Sequence, residues 1–286
     1  MEPVENYAFF FPADLMLIWH LVAFVTGCCV GSFLNVCIWR IPQNMSLSSP
    51  PSHCPKCNHK IPWYENIPLL SWIALRGRCS SCHEPISSRY FLVELLVGIL
   101  FYLLWFKIIL DKQPISLLVL YWVVTAFIVA MAFIDFDHRV IPDRLTYPLL
   151  FFGIAYALIF PGLWGTESIL YAGLMAIGTL LGVTLLMALF ATLGEHLFKQ
   201  EALGWGDVKY MAAVGACLGP KACFITLLAG SLIGSVYGVT MLAFRKGKLH
   251  SALPFGPFLA IGTFLTMLYA ERMQLIYQFL IHRLHF

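Results

Sequence analysis

Long apolar runs separated by short polar segments fill most of this chain. Eight stretches are long enough to consider as membrane spans, at about 20 residues per crossing. They fall at residues 15–37, 90–110, 115–134, 146–163, 168–194, 208–222, 223–244 and 254–271. The sixth and seventh are divided only by "LGPKA". One connection stands apart, a polar loop over residues 38–89; the others are short. The pattern predicts an all-α polytopic membrane protein of about eight transmembrane helices. It divides into an N-terminus with the first span (1–37), the polar loop (38–89) and a seven-span membrane domain (90–286).

Composition supports this. The chain of 286 residues is 60% hydrophobic and 12% charged, against about 25% charged in soluble domains, so it lacks the polar surface to cover a globule. The first apolar run is no cleavable signal, because Glu2, Glu5 and Asp14 stand where basic residues would be expected and the run is too long. A net charge of +3 argues no nucleic-acid partner; the lipid bilayer is the partner implied. With the N-terminus outside, thirteen Lys and Arg fall on inner segments and five on outer ones, which places the 38–89 loop in the cytosol. Small residues four apart (Gly27/Gly31, Gly215/Gly219, Gly230/Gly234, Gly234/Gly238) predict close helix packing.

The loop carries "CPKC" (Cys54, Cys57) and "CSSC" (Cys79, Cys82). Two such pairs let four thiolates converge tetrahedrally on zinc. Disulfides do not suit a reducing cytosol. His53, His59 and His83 are neighbours that could substitute, but four cysteines already close the shell. A closed shell makes the metal structural, one per chain, folding a loop with little apolar content to bury. Cys28, Cys29, Cys37, Cys217 and Cys223 read as small core hydrophobes.

Carboxylates at a bilayer edge are functional suspects. Here they are Asp135, Asp137 and Asp143 in "FIDFDHRVIPDRLTYP", Asp207 in "GWGD", Glu94 in the second span, and Glu195 and Glu201 before "GWGD". Asp143 and Asp207 each stand at a helix start, where a carboxylate can simply cap or complement the dipole. Two such helices opening on one face can also bring two carboxylates together, and carboxylates that close share one proton. One member can then activate water and the other polarise a peptide carbonyl. No GxSxG or HExxH motif offers another hydrolytic route. Gly204 and Gly206 would let a substrate backbone approach.

These segments resemble the type IV prepilin peptidases, polytopic aspartic proteases that are also N-methyltransferases. "GSFLNVCIWRIP" (31–42) is similar to the family's first-span exit. The four-cysteine loop with "ENIPLLSW" (65–72) and "RGRCSSC" (76–82) resembles its zinc-containing loop. "IDFDHRVIPDRLTYP" (134–148), "GWGDVK" (204–209) and "LPFGPFLA" (253–260) follow in the family's order. The resemblance aligns the two catalytic aspartates with Asp143 and Asp207, the latter in GxGD; the residues alone leave Asp137 open as the partner of Asp207. It implies eight spans in the bacterial inner membrane. Its substrates would be type IV prepilins and type II secretion pseudopilins, whose short basic leader is cut at the cytoplasmic face, typically between Gly and Phe. It further implies methylation of the new N-terminus by S-adenosylmethionine. For that step the loop is a host, with Glu65, Arg76 and Gly77 as candidates; an ordinary loop surface around zinc is the competing reading of the three. Glu94, Glu201 and Lys209 are expected to support the pair or bind substrate amines, or else to pair structurally.

Two other classes compete. A proton-coupled transporter relaying protons through these carboxylates would place them near the midplane and show repeat symmetry, yet Asp143 and Asp207 lie at span ends and no inverted repeat is visible. A zinc-ribbon scaffold on a membrane anchor would tolerate loss of both aspartates.

Overall fold

The structure is a computed structural model that describes residues 15–199, 203–244 and 254–269. These residues are helical and contain no strand, only two isolated bridges in the polar loop. They form two compact units that divide after Ala130.

The first unit begins with α1 (Met16–Arg40) and continues through the loop, with short α2 (Leu70–Ala74), into α3 (Ser88–Leu110) and most of α4 (Ile115–His138). Glycines seat α1 on α3. A Cβ on Gly27 would lie 2.7 Å from the Val97 carbonyl oxygen, one on Gly31 2.8 Å from the Glu94 Cα, and one on Gly98 2.6 Å from Cys28 Sγ. The predicted Gly27/Gly31 contact face is therefore real. At the polar end Asn35 donates to the Tyr90 carbonyl at 3.1 Å. Arg40 is buried and donates to the carbonyls of Ser46, Leu47 and Pro50 at 3.0, 3.3 and 2.7 Å, fixing the turn that leaves the helix. Trp122 on α4 stacks on Phe101 at 4.9 Å and donates to its carbonyl.

The second unit holds the end of α4, then α5 (Asp143–Ile159), α6 (Ile169–Phe198), α7 (Trp205–Ala243) and α8 (Gly256–Tyr269). α7 is broken at Gly219, whose φ of 81° and ψ of 177° no helix contains and which Pro220 follows. Met211 and Cys223 would stand about 18 Å apart along a straight helix, yet Cys223 Sγ reaches the Met211 carbonyl at 3.6 Å. The chain therefore folds back at Gly219, giving α7 two antiparallel limbs. The second limb packs on α8, where a Cβ on Gly262 would lie 2.5 Å from the Thr226 carbonyl and one on Gly230 3.1 Å from that of Phe258. Tyr210 on the first limb also reaches α8, sharing a buried hydrogen bond of 2.9 Å with Thr263.

Among the described residues, five helices (α1, α3, α4, α6 and α7, the last counted across its break) are long and apolar enough to cross a membrane. Each of the eight predicted stretches coincides with helix, but fewer than eight are long enough to count as spans, and three bounds differ. α4 runs on to His138, so "IDFDH" is helix rather than connection. α5 starts three residues early, at Asp143, behind Pro142. The division between the sixth and seventh stretches falls at Gly219, because its positive φ ends a helix that hydropathy alone carries on to 222. α3 and most of α4 share a compact unit with the loop.

Candidate active site and metal centre

The polar loop folds around its cysteines as two similar turns. In the first, Cys54 N–H donates to the His59 carbonyl and Asn58 N–H to the Cys54 carbonyl, both at 2.9 Å. In the second, Cys79 donates to Glu84 at 2.9 Å and His83 to Cys79 at 3.0 Å. Asn58 and His83 close these turns with the same φ of 57°. The four sulfurs lie within 4.8 Å of one another, with Cys54–Cys82 at 3.8 Å and Cys57–Cys79 at 3.9 Å. A tetrahedral zinc with bonds of about 2.3 Å has sulfur–sulfur edges of about 3.8 Å, whereas a disulfide needs about 2.05 Å. The cluster has the dimensions of a metal site. The N–H groups of Cys57 and Lys56 pull the Cys54 thiol down to about 6, toward the thiolate a metal needs. His53 turns to the Pro51 carbonyl at 3.0 Å, and His59 lies 3.8 Å from Glu65.

The three methyl-transfer candidates gather beside the second turn. Glu65 accepts from Ser80 Oγ at 2.8 Å. Gly77 has φ +65°, and a Cβ there would lie 2.8 Å from the Trp72 ring. Arg76 is exposed. Glu65 and Gly77 thus hold the loop's shape, whatever else they do. Glu94 is buried on α3 and accepts from the Leu69 N–H at 2.8 Å, so it fastens the loop to the helix.

The remaining carboxylates belong to the second unit. Asp207 is in the first turn of α7, whose N-cap is Gly204. Its carboxylate accepts from the Gly204 N–H, half of a capping box. Gly206 permits a close approach, since a Cβ there would lie 3.1 Å from that of Ile141. The α4–α5 connection is in this way brought against the GWGD segment. Asp143 opens α5 on the exposed side, where its Oδ1 takes a 2.7 Å bond from Lys209 Nζ. That ammonium also lies 5.7 Å from the centre of the Tyr147 ring.

The carboxyl whose charge reaches Asp207 is that of Asp135. Asp135 is buried at the end of α4, and its Oδ2 accepts from the Gly256 N–H at 2.9 Å. A Cβ on Gly256 would lie 2.7 Å from that oxygen. The turn around Gly256 is therefore the seat of Asp135. One signal for this residue is present in the chain. Val124, Ile128, Met131 and Asp135 recur at helical spacing and are all buried, while Asp137 falls on the exposed side. Glu195 is exposed on α6, and Glu201 lies outside the described residues.

The sequence itself matches two family models in succession, the Bacterial Peptidase A24 N-terminal domain over residues 25–108 and the Type IV leader peptidase family over 122–239. The chain belongs to the type IV leader peptidase family. It is an enzyme of that peptidase class and a membrane protein. Among its relatives are proteins named prepilin leader peptidase/N-methyltransferase. That of Aeromonas salmonicida is 35% identical, over 87% of this chain and 90% of its own length. That of Stutzerimonas stutzeri is 35% identical over 97% and 98%. That of Myxococcus xanthus is 43% identical over 77% and 62%. No solved structure matches. The boundary between the two family models falls near the start of α4.

Proposed function

We propose that this chain is an aspartic endopeptidase of the bacterial inner membrane that removes the leader of type IV prepilins and type II secretion pseudopilins at the cytoplasmic face, then methylates the new N-terminus. Its eight spans are α1, α3, α4, α5, α6, the two limbs of α7, and α8. The active site lies in the membrane domain and the loop over 38–89 is a zinc module held by Cys54, Cys57, Cys79 and Cys82.

The observation that carries the reading is a pair of carboxylates near enough to interact, one buried and amide-bonded, the other at a helix start in GxGD. In this pair the ionised carboxylate takes a proton from water as its oxygen attacks the peptide carbonyl. The protonated one donates to that carbonyl; as the C–N bond breaks, the first passes the proton it took from water to the leaving amine, and the second recovers its own from the collapsing diol. Asp207 is one member. The family alignment proposes Asp143 as the other, but the geometry favours Asp135. Asp143 is exposed and committed to Lys209, while Asp135 is buried, anchored and within reach of Asp207's charge.

S-adenosylmethionine supplies the methyl group as a sulfonium. Glu65 and Arg76 fit its opposite charges, and Gly77 shapes the turn between them and Cys79. The loop is the proposed donor site on that chemistry.

The test is cleavage of a prepilin-like substrate in membranes by Asp135→Asn, Asp137→Asn, Asp143→Asn and Asp207→Asn proteins at matched expression. The proposal expects the first and last to be inactive and the middle two active. Activity in all four would return the carboxylates to capping and end the aspartic reading.

A further inference from the structure

The polar loop exposes an apolar edge that no zinc module requires. Trp63 is 80% exposed, Tyr64 58%, Leu70 65% and Ile73 57%. α2 is inverted for a water-facing helix. Ser71 is buried, Trp72 packs on Phe91 at 5.1 Å, and Leu70 and Ile73, three apart on one face, point away. Single exposed apolar residues need no explanation, but a contiguous patch does.

The depth of this edge follows from Glu94. It lies six residues inside α3, about 9 Å along the helix from Ser88, and it holds the Leu69 N–H at 2.8 Å. Leu70 is therefore pinned level with the second turn of a membrane-spanning helix. That is where a bilayer passes from hydrocarbon to headgroups. The exposed side of α3 in the same turns carries Leu92 and Leu96, so the apolar surface of the helix has neighbours at the same height on the loop. Exposed Arg76 and Arg78 follow at once along the chain, which suits anionic headgroups.

We infer that the loop docks on the lipid interface through Trp63, Tyr64, Leu70 and Ile73. Trp and Tyr rings favour the headgroup level, and Leu70 and Ile73 enter the acyl boundary as a short interfacial helix does. The zinc turns then stand on a platform bound to the membrane on one side and to Glu94 on the other. The inference depends only on α1 and α3 spanning a bilayer, so it can fail while the peptidase assignment holds, and the reverse.

The test places photoreactive benzoylphenylalanine at Trp63, Ile73 or Glu84 in the full-length protein in native membranes. Metal content confirms an intact loop. Glu84 is the control, since it pairs with Lys56 at 3.8 Å on the zinc turns. Docking expects phospholipid adducts at 63 and 73 and at least fivefold fewer at 84. Adducts to protein in their place, equal yields at all three positions, or no lipid adduct would overturn it. A second measurement makes only a conservative aromatic replacement in the patch. In nanodiscs with brominated lipids, the Trp63 contribution, taken as wild type minus Trp63→Phe, should be quenched at least twofold. An unquenched contribution also refutes the inference.

Discussion

Lys209 Nζ and Asp143 Oδ1 meet at 2.7 Å, joining the start of α5 to the second turn of α7 across 66 residues of chain. The two carriers of this bond stand at or beside the start of helices whose positions determine where Asp207 lies. An exposed pair of this kind contributes about 0.2–1 kcal/mol. Asp143→Asn or Lys209→Met alone should therefore lower cleavage by at most about fivefold. Exchanging the charges, Asp143→Lys with Lys209→Asp, should recover part of that loss. If Asp143 were a reacting carboxylate, no exchange could restore activity. Substrate cleavage by the singles and the exchange pair separates the two roles.

Gly256 and Gly204 should respond differently to alanine. At Gly256 the new methyl meets Asp135 Oδ2 at 2.7 Å, but at Gly204 it meets Asp207 Oδ2 at 3.4 Å, an ordinary contact. Displacing a reacting group by about 1 Å lowers rate about a hundredfold, so Gly256→Ala should be severely impaired and Gly204→Ala near normal. Equal effects would show that Asp135 is not held by this contact.

Removal of metal should unfold the loop rather than inhibit chemistry directly. Purified protein is expected to carry one zinc per chain, and serine at any of Cys54, Cys57, Cys79 or Cys82 to lose it. Metal analysis finding far less than one zinc in the wild type contradicts the site.

Gly77→Ala distinguishes shape from ligand binding in the same loop. The substitution forces a left-handed residue and a contact of 2.8 Å with Trp72, a strain of about 1–3 kcal/mol. If Gly77 only shapes the turn, metal retention and methylation should fall together. Methylation lost at full zinc content would instead place the donor against Gly77.

The carboxylate pair should titrate as a unit. Cleavage is expected to rise and fall with two apparent pKa values belonging to the pair, and Asp143→Asn should leave that profile in place. A rate flat from about pH 4 to 8 excludes a shared proton.

Much of this was legible in the residues, for physical reasons that differ by element. The cysteine cluster was readable because ligand spacing is local, and each pair closes its own turn before the two meet. The helices were readable because crossing a bilayer demands long apolar runs. What hydropathy could not tell was Gly219, where one dihedral rather than composition reverses the chain. Asp135 and Asp143 show the other limit. Both are aspartates of one short segment, and only the burial register of α4 and the distant Gly256 tell the buried carboxylate from the exposed one. Glu94 was suspected as a carboxylate in a span, but its partner, a backbone N–H in the loop, leaves no mark in sequence.

The reversal at Gly219 has a consequence for the surrounding lipid. The limb beginning at Trp205 has about 14 residues and is about 21 Å long, short of the roughly 30 Å of hydrocarbon in a bilayer. α5, with 17 residues, is also short. Around such helices lipid chains compress or headgroups dip inward. A local dent of this kind would let bulk water reach Asp207 from the open side, with no channel through the protein. Hydrolysis at a membrane surface would then depend on bilayer thickness, and thicker lipids would slow it by drying the place where water must attack.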